Sequence, residues 1–456
     1  MHIDDLGQDI LWEIFLMNAD LDAIVDLGGL YEPGKEPPRY RYSPLTVTRR
    51  THKVIHLDFF DQVKNHWREE VIRRTGEAPL CLKGDLLGYR TEDFFLATTT
   101  PTSTLESFNL GYSYYRILSL PKGKLFSDNA PLLNHRWVSQ LRHLTLSSPF
   151  SMPEILRATK EMPFLNSIRL ESGVRALGQI TSDIQLISLP QLRNIVLTGY
   201  LSTCLQFLEH VTPGLGCGVS LDPTDSRDTI TETEFGNAID IFTRYSQNYF
   251  GVYNPKRLLL SLTSKSFYIY DLLDPIRVPS SPSFKFTIQF GRRLREDANP
   301  QLLRSLMQSP MTSLTFLELL LFTNAIEPSD PDFVKFTHIL SSLDTLQINS
   351  LDVLHPLLQI PAHRGVPFPA LRTLKIVQST KIYAESIEPF LAWRKKCGKP
   401  IQVLDLTFSS VSLFGNLEYL ETFTGMKVMW SEQFTTEEYI CGSGARERLY
   451  FDKRTY

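Results

Sequence analysis

Apolar positions along this chain recur in a fixed short motif: one apolar residue, two variable ones, a second apolar residue, one variable one, and a third apolar residue. Clear copies are Leu105-Phe108-Leu110, Leu141-Leu144-Leu146, Leu165-Ile168-Leu170, Leu192-Ile195-Leu197, Leu314-Leu317-Leu319, Leu343-Leu346-Ile348, Leu371-Leu374-Ile376 and Ile401-Leu404-Leu406. Weaker copies sit at Val219-Leu221, Leu260-Leu262 and Ile288-Phe290. Adjacent copies step by 24 and 27 residues from Leu141 through Leu165 to Leu192, and by 29, 28 and 30 from Leu314 through Leu343 and Leu371 to Ile401. Residues two apart share one face of a strand, so the last two apolar positions predict the buried side of a short strand, and the first anchors the turn before it. A single triplet fits an ordinary buried strand equally well. Repetition in register changes the picture, because one such strand cannot bury its face alone, whereas a parallel stack backed by helices makes a continuous core.

Between the strands the pattern turns helical. Ser151-Met152-Pro153-Glu154 reads as a capping-box start of a helix toward Met162. Asp330-Pro331 opens another through Leu340, and Ala384 to Cys397 closes with Arg394, Lys395 and Lys396 before Gly398 and Pro400. The period of one strand plus one helix predicts an α/β leucine-rich-repeat solenoid, an irregular horseshoe of parallel strands and helices. It lacks an asparagine ladder: three residues past the motif stand Pro149, Gly173, Tyr200, Phe322, Leu351 and Ser379. An insert between Leu221 and Leu260, with an acidic turn from Asp222 to Asp228 and a helix from Glu234 to Tyr249, fits a solvated connection at the rim, or a partner-contacting loop.

The first fifteen residues carry a separate amphipathic helix, with Ile3, Leu6, Ile10, Leu11, Ile14 and Phe15 at helical spacing. Its pattern, Leu6-Gly7-Gln8-Asp9-Ile10-Leu11-Trp12-Glu13-Ile14-Phe15, resembles the opening of an F-box, with Gly7 in place of the usual proline. Trp67, Glu70, Val71, Arg74, Thr75, Gly76, Ala78, Pro79 and Leu80 are similar to the stretch after the F-box in mushroom-type fungal F-box proteins, where leucine-rich repeats follow. The resemblance implies a substrate-recognition subunit of a Skp–cullin–F-box ubiquitin ligase. Leu6, Ile10, Leu11, Ile14 and Phe15 would then dock the Skp-type adaptor, and the solenoid would choose a protein target. The chain departs from the family where Thr46 to Lys53 run straight into the strand-like Val54 to Phe59. About twenty residues of the usual F-box are absent there, which removes the packing partners of the first helix. An amphipathic cap on the end of a repeat array would show the same first helix, so a ligase-independent scaffold with a degenerate F-box is the alternative. The expected organisation is an incomplete F-box-like segment with its Pro-rich loop over 1–53, the solenoid over 54–430, and a tail or cap over 431–456.

Charge adds little direction, since 47 Lys and Arg stand against 50 Asp and Glu and no global field favours nucleic acid or an anionic membrane. The N-terminus has no basic start or apolar run, and no stretch reaches membrane-spanning length, so a cytoplasmic or nuclear location is expected. The five cysteines, Cys81, Cys204, Cys217, Cys397 and Cys441, are scattered, which predicts reduced thiols rather than a metal or redox pair. No phosphate loop, zinc motif or nucleophile elbow is found, so no catalytic residue, metal or cofactor is expected. The glycine-rich Gly214 to Gly218 precedes a strand rather than a helix, and the basic clusters at Arg292 to Arg295 and Arg394 to Lys396 read as solvated ends of elements.

Residues alternating with the buried pair predict the target-binding face. It comprises His143 with Thr145, Ser167 with Arg169, Asn194 with Val196, Phe316 with Glu318, Thr345 with Gln347, Thr373 with Lys375, and Val403 with Asp405. Of these His143, Arg169, Asn194, Phe316, Glu318, Gln347, Lys375 and Asp405 are the candidate contacts. The alternative is a merely solvated sheet face.

Overall fold

The computed structural model describes residues 139–147, 152–171, 185–223, 230–272, 282–289, 297–322, 324–360, 365–377, 384–409, 415–432 and 435–451, plus the backbone of four earlier strands. The fold is mixed α/β with mostly parallel sheet, in two compact units, 1–214 and 215–456.

In residues 1–214, β1 (Leu45–Val47) pairs antiparallel with β2 (Lys53–His56). From β2 the sheet runs parallel through β3 (Leu80–Asp85), β4 (Leu105–Gly111), β5 (His143–Ser147), β6 (Ser167–Glu171) and β8 (Asn194–Gly199). A small side sheet joins β7 (Ile187–Leu189) to β9 (Val211–Pro213). Helices α1 (Met152–Lys160) and α2 (Leu201–His210) follow β5 and β8. Leu144, Ile168 and Ile195 lie side by side and buried, as do Leu146, Leu170 and Leu197.

Residues 215–456 hold a sheet of ten strands. In spatial order these are β10 (Gly218–Pro223), β13 (Lys285–Gln289), β12 (Ser266–Asp271), β11 (Arg257–Leu262), β14 (Phe316–Leu321), β15 (Thr345–Ile348), β16 (Thr373–Ile376), β17 (Val403–Asp405), β18 (Lys427–Glu432) and β19 (Thr435–Ile440). The helices are α3 (Glu232–Tyr253), α4 (Ala298–Leu306), α5 (Pro331–Ile339), α6 (Leu354–Gln359) and α7 (Ala384–Lys396). From β11 through β14 to β18 the register never slips: Leu258, Leu317, Leu346, Leu374, Leu404 and Val428 form one fully buried row. Leu260, Leu319, Ile348 and Ile376 form the next. Each leucine so enclosed contributes about 1.5–3 kcal/mol relative to exposure.

The first apolar position anchors a turn in several of the motifs. Leu314, Leu343 and Leu371 are buried, and their amides donate to Met311, Leu340 and Phe368 carbonyls three residues back. A backbone feature then repeats at the starts of β14 to β17. The Lys256 carbonyl accepts from the amides of both Thr315 and Phe316; that of Thr315 accepts from Asp344 and Thr345; that of Asp344 from Arg372 and Thr373; and that of Arg372 from Gln402 and Val403. Residues 1–214 do the same, with Arg142 accepting from Asn166 and Ser167, and Asn166 from Arg193 and Asn194. Where an asparagine ladder is lacking, other donors serve the strand ends: the Phe322 amide reaches the Leu262 carbonyl, the Val377 amide that of Ile348, and the Ser409 hydroxyl that of Ile376.

Helix starts follow the sequence signals. Asp330 Oδ1 accepts from the amides of Asp332 and Phe333 at 2.9 and 3.0 Å, ahead of Pro331. Thr231 and Glu234 close a full capping box on α3, which ends at Asn254 in the left-handed region.

Three expectations are corrected. The helix between Leu221 and Leu260 is not part of a solvated rim connection, because Phe242 of α3 is fully buried against Phe267 and Phe286 at ring separations of 5.4 and 4.9 Å; residues 224–229 of the acidic turn lie outside the described residues. The strand series is not parallel throughout: β12 runs antiparallel to both β11 and β13, turned by Thr263, whose hydroxyl accepts from the Lys265 and Ser266 amides. Arg394 is not a solvated helix end but fully buried, its guanidinium donating to the carbonyls of Pro367, Phe368, Leu371 and Lys399 at 2.7 to 3.2 Å. Burial pushes its pKa down to about 10. It ties the end of α7 to the turn that feeds β16. The Arg292 to Arg295 cluster lies outside the described residues.

Leu374→Ala is expected to cost about 2–5 kcal/mol in urea unfolding, and Thr373→Ala, on the other side of β16, less than about 0.5 kcal/mol. Equal losses would refute this division of faces. Arg394→Met takes a donor from four carbonyls, of which that of Phe368 keeps the Leu371 amide, and is expected to cost about 3–5 kcal/mol by the same measurement, with Arg394→Lys recovering only part of it.

Candidate protein-binding face

Strand alternation sends every second side chain of residues 215–456 to the side of the sheet opposite the buried rows. The unbroken register sets one row across all ten strands: Ser220, Lys285, Tyr270, Leu259, Glu318, Gln347, Lys375, Asp405, Met429 and Glu438. A parallel row holds Arg257, Phe316, Thr345, Thr373, Val403 and Lys427. The candidates Phe316, Glu318, Gln347, Lys375 and Asp405 are thus neighbours on one surface, and all are half-buried.

His143, Arg169 and Asn194 belong to residues 1–214, again on one sheet face. His143, Ser167 and Asn194 form one row, and Arg169 lies in the next, between Thr145 and Val196. His143 Nδ1 stands 2.8 Å from Ser167 Oγ, and Arg169 Nε donates to Glu171 Oε1 at 2.8 Å. Leu6, Ile10, Leu11, Ile14 and Phe15 lie outside the described residues.

Charge on the face of residues 215–456 is mostly matched locally. Lys285 Nζ lies 2.5 Å from Asp222 Oδ2, Lys427 Nζ 2.8 Å from Glu438 Oε2, and Lys375 Nζ 3.7 Å from Asp405 Oδ2. Asp405 also accepts from the Thr407 amide and hydroxyl, at 3.0 and 2.6 Å, which fixes the turn after β17. That turn presents Phe408, whose ring, 66% exposed, receives Lys375 Nζ at 3.8 Å from its centroid. The Arg257 guanidinium lies 4.6 Å from the Phe316 centroid, so this candidate anchor is partly covered by a cation. Burial raises the Tyr268 hydroxyl above its ordinary pKa; Lys285 opposes this, while Asp222 and Glu318 add to it.

Sequence reasoning missed Tyr268, Tyr270, Lys285 and Arg257. The signal was the alternation in Ser266 to Asp271 after the turn-forming Thr263-Ser264-Lys265, which marks a hairpin that a search for the leucine period passes over.

This surface combines polar groups with apolar side chains, the mixture that adaptable polar contact uses. Burial pushes the Cys204 and Cys441 thiols up to about 12, which leaves both protonated and weakly nucleophilic at neutral pH. Among the described residues, no group of three or more His, Cys, Asp or Glu is placed to hold a metal, and no helix is long and apolar enough to cross a membrane.

In a double-mutant cycle, Lys375→Ala and Asp405→Ala are expected to couple by less than about 1 kcal/mol. Asp405→Ala alone should cost more than Lys375→Ala, because it also releases Thr407; the reverse order would contradict the capping role of Asp405. Comparison with known proteins finds no matching family model and no matching curated protein.

Proposed function

We propose that this chain is a non-catalytic protein-binding scaffold of the leucine-rich-repeat type, which holds a polypeptide target on the open face of the sheet in residues 215–456. The observation that carries this reading is the row of mixed side chains, half-buried from Ser220 to Met429 and exposed only at Glu438, continued without a register slip across ten strands. A solvated face needs no such mixture of Leu259, Tyr270, Phe316 and Met429 with locally matched charges, whereas a protein interface combines apolar anchors with satisfied polar groups. Gln347→Arg with Thr373→Arg is expected to abolish target capture while leaving the unfolding midpoint close to wild type. Retained capture would contradict the reading.

A second reading rests on the resemblance of residues 6–15 and 67–80 to mushroom-type F-box proteins. In it the scaffold recognises substrates for a Skp–cullin–F-box ubiquitin ligase, with Leu6, Ile10, Leu11, Ile14 and Phe15 on the adaptor. The full chain is expected to co-purify with a recombinant Skp-type adaptor, and Ile10→Asp with Ile14→Asp to weaken that complex about a hundredfold. Target capture without any adaptor complex would leave the scaffold and remove the ligase.

A further inference from the structure

Eight charged side chains stand on the strands of the open face in residues 215–456, and six are paired there: Lys285 with Asp222, Lys375 with Asp405, and Lys427 with Glu438. The remaining two are Arg257 and Glu318. Arg257 places its guanidinium over the Phe316 ring. Glu318 has no counterpart: among the described residues no hydrogen bond or ion pair reaches its carboxylate. Its cross-strand neighbours are Leu259 and Gln347, and Phe316 and Leu320 flank it along β14, all half-buried. Among the described residues this is the one carboxylate of the face with no hydrogen bond or ion pair; it sits near the middle, flanked by Leu259, Phe316 and Leu320, with the Tyr268 hydroxyl within electrostatic reach.

An uncovered carboxylate at this depth keeps part of its hydration. A polypeptide laid across the row removes that water, and neutral contacts do not replace what a desolvated anion loses. A partner that docks here must bring a cation to Glu318, or fail to cover it. Resting on the scaffold reading above, we propose that Glu318 is the specificity-setting anchor of the face and receives an arginine or lysine side chain of the bound polypeptide. Arginine fits best. Its planar fork can engage both carboxylate oxygens while its stem lies on Leu259 and Leu320, and Tyr270, two strands away in the same row, offers an aromatic surface to the flanking residues. Arg257, diagonally opposite, keeps its charge on the Phe316 ring, so the carboxylate is left for a partner.

The test uses random dodecapeptides displayed on phage and selected on the immobilised full chain, followed by titration of synthetic winners. Winners are expected to carry an essential Arg or Lys. Glu318→Gln should weaken them by about tenfold or more, and selection on Glu318→Arg should favour Asp or Glu instead. Arg257→Gln, which removes a cation from the same face, should not abolish binding of basic winners. Winners that bind Glu318→Gln as well as wild type, yet are lost with Gln347→Arg and Thr373→Arg, would overturn the anchor while sparing the scaffold. A selection with no winner sensitive to any substitution on the face would overturn both.

Discussion

A strand of four residues with two buried side chains has no independent stability, and the stacking of each such strand on the next is the interaction on which residues 215–456 depend. Leu346 on β15 is covered by Leu317 on one side and Leu374 on the other, and each of those needs its own neighbour in turn. Register is the stringent part. A slip of one residue would send leucines to the open side and polar residues inward. The shared carbonyls at the starts of β14 to β17, each taking two amides from the following strand, hold these strands at the same height and so guard against the slip.

Two departures from regularity strengthen this plan. The antiparallel β12 and the long α3 bring Phe242, Phe267, Phe284 and Phe286 into one aromatic cluster, which supplies core where the leucine period fades. Arg394 gives the turn before β16 side-chain donors, its guanidinium reaching the carbonyls of Pro367 and Leu371 and sharing that of Phe368 with the Leu371 amide.

Much of this was readable from the chain. The positions of β5, β6, β8 and β14 to β17 follow from residues two apart, the start of α5 from Asp330-Pro331, and the end of α7 from the basic run ahead of Gly398. What escaped has physical causes. Arg394 carries the same sequence signature as its solvated neighbours Lys395 and Lys396, and only tertiary packing distinguishes it. Leucine spacing also cannot report strand direction, so the reversal at Thr263 was hidden although its turn chemistry was present. On the face, Glu318 and Gln347 were identifiable by alternation, whereas Tyr268, Tyr270 and Lys285 became their neighbours only through pairing between strands distant in sequence.

The face gathers these consequences. Because the buried rows are in register, so are the residues between them, and many short strands present one continuous surface, the one proposed to hold a polypeptide. Hydroxyl-radical footprinting of the full protein, free and saturated with a captured polypeptide, tests this most directly, since aromatic rings and Met sulfur are the groups the radical attacks. The account predicts loss of reactivity at Tyr270, Phe316, Phe408 and Met429 and no change at Trp393 on α7. Protection at Trp393 with those four residues unchanged would contradict it.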